Sequence, residues 1–220
     1  MSTVAIVGGH GQIARLLHGE LTERGHTPVA LVRKEEQADT LQAEGVEARL
    51  LDIEAADEGQ FATAFSGCDV VVFAAGGGAD GNKFRKLSVD LGGSLKSIAG
   101  ARRAGVTRFV QISAIDVDNE LPEDTDEVWR AYVEAKRDAD KALRGSDLDW
   151  TVIRPGRLTD DPATGRVALG DDVERAEVTR ADVAAVVAAV IDDPSSIGRQ
   201  WNLVGGDTPV ADAVSAAGRA

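Results

Sequence analysis

Cysteine, tyrosine and cationic side chains are scarce in this sequence, and each shortage removes a class of function. A single cysteine, Cys68, leaves no disulfide framework within the 220-residue chain. Its setting, "SGCDVVVF", beside an apolar run, marks it as a small buried residue. The histidines His10, His18 and His26 lie in the first glycine-rich turn and around the helix after it. They make no ligand spacing with cysteine or acidic residues, so no metal is expected. Lys and Arg number 24 against 37 Asp and Glu, a net charge of −13. That balance counts against nucleic acid and anionic membrane surfaces as partners, since both attract basic patches. No apolar run has the length of a membrane span, and the start "MSTVAIVGGHGQ" has no basic signal-peptide region. The expectation is a cytoplasmic protein with a small-molecule partner, as a monomer or homodimer. Repeats, linkers and low-complexity tails are also missing.

What is present is alternation. "TVAIV" (3–7), "TPVALV" (27–32), "VEARLL" (46–51), "DVVVFA" (69–74), "VTRFVQI" (106–112) and "DWTVI" (149–153) are short, β-rich and apolar, as buried parallel strands are. Helical segments separate them, several ending in Gly. "ADVAAVVAAVIDD" reads as a later helix and "QWNLVGG" as a last strand. This rhythm predicts an α/β fold: one Rossmann domain over 1–220, a doubly wound parallel sheet with helices on both faces. Only the segment from about 156 to 178 leaves the rhythm, and it is expected to form a small cap on the substrate side. The acidic stretch "DVDNELPEDTDE" (116–127) reads as a solvated surface loop.

The first strand runs into Gly8-Gly9-His10-Gly11-Gln12-Ile13-Ala14 and then a helix. Both Gly8–Gly11–Ala14 and Gly9–Gly11–Ala14 fit the spacing of a dinucleotide loop. One glycine permits the tight turn, another lets backbone approach a pyrophosphate, and a small third residue lets helix and strand pack closely. Helix N-terminal amides then face the phosphates. Gly8, Gly9, His10, Gly11, Gln12 and Ile13 are therefore candidate cofactor contacts. At the tip of the second strand, where a carboxylate would hold a ribose 2′-hydroxyl, stand Arg33 and Lys34. A cation there suits a 2′-phosphate, so NADP is the expected cofactor; a longer second strand would bring NAD back. Glu35 and Glu36 open the next helix. Asp52 and Ile53, after the third strand, are candidates for the adenine. Ala74, Ala75 and Gly76, after the fourth, are small enough for a nicotinamide ribose to pass.

In this order "VGGHGQIAR", "LLDIE", "FAAGGG", "FVQISAID", "YVEAK", "WTVIRPGRL" and "VTRADVAAVV" resemble the short-chain dehydrogenase/reductase superfamily. The match is to its atypical branch of small NAD(P)H-binding proteins, related to epimerase/dehydratase-type members, and covers nearly the whole chain. The resemblance implies a catalytic set: Ser113 after the fifth strand, and Tyr132 with Lys136 on the next helix. Residues i and i+4 share a helix face, so one bound nicotinamide can meet both. Tyr132 would exchange a proton with the substrate oxygen, Lys136 would bind the cofactor and lower the phenol's pKa, and Ser113 would hydrogen-bond the same oxygen. Pro155 and Gly156 would pass the carboxamide. Arg154 and Arg157 face either an anionic substrate or surface carboxylates.

The resemblance implies an NADP-dependent oxidoreductase acting on a small carbonyl, quinone or flavin-type acceptor. Two alternatives stay open: a non-catalytic NADP(H) redox-sensing binding protein, and an NAD-dependent epimerase or isomerase. Against the last, the chain stops near 220, short of the C-terminal portion usual in nucleotide-sugar epimerases.

Overall fold

In a computed structural model that describes residues 1–78 and 81–219, the apolar runs assemble into a nine-stranded, mostly parallel sheet. The strands and helices of the first half are β1 (Thr3–Val7), α1 (Gln12–Glu23), β2 (Thr27–Val32), α2 (Glu35–Ala43), β3 (Glu47–Leu50), α3 (Glu58–Ala64) and β4 (Val70–Phe73). Then come a short α4 (Lys83–Arg85), a π-helical turn over Lys86–Leu91, α5 (Gly92–Ala104), β5 (Arg108–Ile112), α6 (Glu127–Arg144) and β6 (Asp149–Pro155). The chain ends with β7 (Arg157–Thr159), β8 (Arg166–Gly170), β9 (Glu177–Thr179), α7 (Arg180–Asp192), β10 (Arg199–Gly205), β11 (Thr208–Pro209) and α8 (Val210–Arg219). The order across the sheet is β3-β2-β1-β4-β5-β6-β10-β8-β11.

Side-chain alternation explains the two helical layers. Val4, Ile6, Val70, Val72, Val110 and Ile112 point to one face, where α1, α7 and α8 bury Leu17, Val187 and Val214 against them. Ala5, Val7, Val71, Phe73 and Phe109 point to the other, against Phe61, Ile98 and Leu143 of α3, α5 and α6. Both faces are dry, which is why these strands read as continuous apolar runs. The chain winds outward through β2 and β3, then returns to place β4 beside β1. That reversal opens a crevice above the carboxyl ends of β1 and β4, the place where open α/β sheets take ligands.

The segment 156–178 is divided between two sheets. Only β7 and β9 stand apart, as a two-stranded parallel pair. β8 joins the main sheet, antiparallel to β10, with Leu169 opposite Leu203. Its register is set by Val167, which is fully buried in the core. The acidic stretch 116–127 is mostly exposed, yet several of its carboxylates are engaged. Asp118 binds Arg154, and Asp126 caps α6 by accepting from the amides of Val128 and Trp129 at 3.0 and 2.9 Å. Among the described residues, no helix is long and apolar enough to cross a membrane.

Candidate functional site

The turn after β1 is shaped by close backbone approach. Gly8 has φ +81°, and a Cβ on it would sit 2.8 Å from the Ala75 backbone. A Cβ on Gly9 would sit 2.6 Å from Ala30 Cβ in β2. Gly11, by contrast, has an ordinary extended conformation and is exposed; it is the N-cap of α1 and supplies no side-chain cap. Among the described residues, no side chain caps the N-terminus of α1, the arrangement an anion needs. Ala14 is buried and lets α1 lie close to the sheet. Of the other two loop candidates, Gln12 is exposed and Ile13 packs half-buried against the core.

Gly8, His10 and Gly11 line a cleft of about 260 Å³, together with Arg33, Asp52, Ile53, Ala74, Ala75 and Gly76. Arg33 follows directly on the last residue of β2. It stands 3.7 Å from Glu54, which Arg85 also approaches at 3.6 Å and to which Ser88 donates at 2.6 Å. Glu54 and Gln37, both on this cleft, were not singled out from sequence. One Asp52 carboxylate oxygen accepts from the Glu54 amide at 3.0 Å, closing the turn after β3.

At Gly76 this cleft meets a second one of about 800 Å³. Tyr132, Trp129, Ala114, Ile115, Pro155 and Leu158 form its walls, and Lys86, Arg157 and Arg175 bring positive charge. The Trp129 and Tyr132 rings lie 5.3 Å apart. Lys136, one turn on from Tyr132, is buried, with its Nζ 3.3 Å from Asp90, 3.2 Å from the Ile112 carbonyl and 6.0 Å from the Tyr132 ring centre. Lys86 approaches the same ring to 5.9 Å and donates to the Gly78 carbonyl. The structure thus brings Lys136 to within 6.0 Å of the ring of Tyr132, which lines the larger cleft.

Several of the candidates are engaged within the protein. Ser113 is buried, and its hydroxyl donates to Asp140 at 2.8 Å, while its neighbour Ala114 lines the cleft. The proton expected to reach a substrate oxygen is already engaged. Arg154 is neither on the surface nor facing a substrate. It is buried, bonding Asp140 at 2.9 Å and Asp118 at 2.7 Å. Gly156 lines the larger cleft, and a Cβ there would collide with the Ala176 carbonyl. Arg157 pairs with Glu177 at the surface.

The electrostatics also differ from expectation. Burial pushes the Tyr132 phenol above its ordinary value; Lys136 pulls it down, but Asp90 and Asp140 push it up again. Burial works against the Lys136 ammonium, yet Asp90, Tyr132 and Asp140 outweigh it and hold its pKa above the usual lysine value. Asp140 is raised by burial, against the pull of Arg154, Ser113 and Gln111. Asp90 and Asp140 were not anticipated. Asp140 had a readable signal, since it lies four residues beyond Lys136 on the same helix face. Asp90 had none, because its approach to Lys136 joins segments 46 residues apart (136 − 90). Among the described residues, no group of three or more His, Cys, Asp or Glu could hold a metal.

The residues fit a dinucleotide. Small residues line the cleft, and the N-cap of α1, Gly11, is among them. A protein-family model described as NAD(P)H-binding matches residues 8–194. The chain is 40% identical over 212 residues to the uncharacterized sugar epimerase YhfK of Bacillus subtilis (strain 168), covering 96% of this chain and 98% of that one. A solved structure from Bacillus halodurans, described as an NAD-dependent epimerase/dehydratase, superposes with a TM-score of 0.90 at 36% identity, over 98% of this chain and 100% of its own. The oxidoreductase ylbE of Lactococcus lactis superposes at 0.86 and 29% identity, over 97% and 95%.

Proposed function

The chain belongs to the NAD(P)H-binding family, and from that premise we propose that it is a cytoplasmic, NADP-dependent reductase of a small conjugated acceptor of carbonyl, quinone or flavin type. The observation that carries this reading is the junction at Gly76, where the glycine-lined cleft opens onto the larger cleft beside Tyr132 and Lys136. When bound, the dihydronicotinamide supplies a hydride. The chain's own residues do the rest. The Gly8–Gly11 turn and the amides of α1 hold the pyrophosphate. Ala74, Ala75 and Gly76 leave room for the second ribose. Lys136 would help hold that ribose, and Tyr132 would give its phenolic proton to the acceptor and regain one from solvent through the open cleft. Arg33, 3.7 Å from Glu54, would provide charge for a 2′-phosphate. The aromatic wall of Trp129 and Tyr132 favours a flat acceptor.

One observation favours a second reading, that of an NADP(H)-sensing protein without steady turnover. Ser113 spends its proton on Asp140, so a substrate oxygen would find one donor where the resemblance implied two. Fluorescence titration with NADPH and NADH, followed by turnover with quinone and flavin acceptors, separates the readings. Tight NADPH binding with acceptor reduction supports the reductase, and binding without reduction supports the sensor. NAD retained through purification with no net oxidation would mean an isomerase. Charge-assisted hydrogen bonds contribute about 1.5–3 kcal/mol, so Arg33→Ala is expected to weaken NADPH binding roughly 10- to 100-fold while sparing NADH. Equal affinities unchanged by the substitution would remove NADP from the proposal.

A further inference from the structure

Asp90 is a buried charge beside the site that proton donation by Tyr132 does not require. It lies on the π-helical turn and is 1% exposed. Turns of this kind recur at functional sites. One carboxylate oxygen accepts from the Gly77 amide at 2.8 Å, and the other lies 3.3 Å from Lys136 Nζ. A carboxylate at that depth is costly unless paired, and Lys136, itself buried, is its counter-charge. Asp90 lines the larger cleft with Tyr132, and the Lys136 Nζ of the pair lies 6.0 Å from the Tyr132 ring centre.

We propose that Asp90 is a positioning residue that sets the protonation state of the donor: by offsetting the charge of Lys136 it keeps the Tyr132 phenol protonated, so that the site holds a proton ready for a product being reduced. This rests on the reading of Tyr132 as proton donor. An ammonium beside a phenol, acting alone, favours the phenolate; a carboxylate held on the same ammonium cancels most of that pull. The other charges facing the phenol do not reverse the balance. Asp140 lies further along α6 and is itself answered by Arg154. Lys86 comes from the π-helical turn but is tied to the Gly78 carbonyl. Arg175, ahead of β9, is half exposed and paired with Asp116 at 3.6 Å. Asp126 and Arg157 line the same cleft, Asp126 engaged as the cap of α6 and Arg157 with Glu177. The upward shift of both Tyr132 and Lys136 agrees with this balance.

The chain offers an unusually direct test, because Tyr132 is its only tyrosine. Alkaline titration of the tyrosinate ultraviolet band therefore reports this one phenol, without substrate or turnover. Asp90→Asn removes the charge and keeps an acceptor for the Gly77 amide. The midpoint is expected to move to lower pH in Asp90→Asn, and the alkaline limb of the reduction rate to move with it. A midpoint that stays in place or rises overturns the proposal, including the case in which Lys136 loses its proton in place of the phenol. If circular dichroism shows Asp90→Asn to be unfolded, Asp90→Ser keeps an acceptor and is read the same way. Because the titration needs no catalysis, its outcome is independent of whether Tyr132→Phe retains turnover. The two ideas therefore fail separately.

Discussion

Tyr132→Phe deletes one hydroxyl from a half-buried ring that otherwise keeps its contact with Trp129. Little packing is lost, so stability and cofactor affinity should change by small factors. Turnover should fall roughly 10²-fold or more, the lower end of what a positioned acid contributes. Lys136→Ala is a heavier change. It removes the partner of a carboxylate that is 1% exposed, and breaking one side of a buried pair costs about 3–5 kcal/mol. Steady-state kinetics, cofactor titration and urea unfolding on both variants should therefore diverge: Tyr132→Phe loses rate alone, whereas Lys136→Ala loses rate, affinity and stability. A Tyr132→Phe enzyme reducing an identified acceptor at the wild-type rate would leave the pair as a cofactor clamp and favour the sensor reading.

The glycine turn shows, at the scale of an element, what sequence can and cannot reveal. Its spacing and its place between β1 and α1 were legible, because small residues there answer to local backbone geometry. Which glycine faces the ligand and which faces the protein was not, because that depends on where β2 and the strand-four turn pass. The same division runs through the molecule. Strands and helices whose period matched their burial were readable. β8 was not, since it is held by β10 from a later part of the chain. Tyr132 and Lys136 were readable as an i, i+4 pair, whereas Asp90 and the engagement of Ser113 with Asp140 arise only when separate elements meet. The turn therefore predicts two different outcomes for one kind of substitution. At Gly11 the backbone suits any residue and a Cβ would come no closer than 3.2 Å to the Gly8 carbonyl. Gly11→Val should fold, with native circular dichroism, and fail to bind NADPH because its methyl groups take the pyrophosphate's place. Gly9→Val would drive a branched side chain into Ala30, an overpacking cost of about 1–3 kcal/mol or more. It should lower the urea midpoint with or without cofactor. Normal NADPH binding by a folded Gly11→Val protein would show that the turn is not a phosphate loop.

For the molecule as a whole, the most specific pH sensitivity comes from a histidine remote from the chemistry. His18 is 4% exposed on α1, on the side of the sheet that α7 covers, and its Nε2 has no hydrogen-bond partner among the described residues. Burial is the main reason its pKa falls from 6.5 to about 4, with Arg15 adding to the effect and Glu44 opposing it. The folded protein thus binds this proton less readily than the unfolded chain. Stability from this source is present above pH 6.5, where His18 is neutral in both states, and is lost as pH falls toward 4. The loss between pH 7 and pH 5 is about 2 kcal/mol by linkage, a large share of the roughly 5–15 kcal/mol that holds a domain folded. His18→Leu keeps an apolar side chain of similar bulk at the site and cannot be protonated. Urea unfolding at pH 7, 6 and 5 should show the wild type weakening steadily and the variant weakening about 2 kcal/mol less over the same interval. Parallel pH dependences would mean that His18 finds a partner or solvent in the folded protein, and that its burial against the sheet is looser than the packing of α1 and α7 implies.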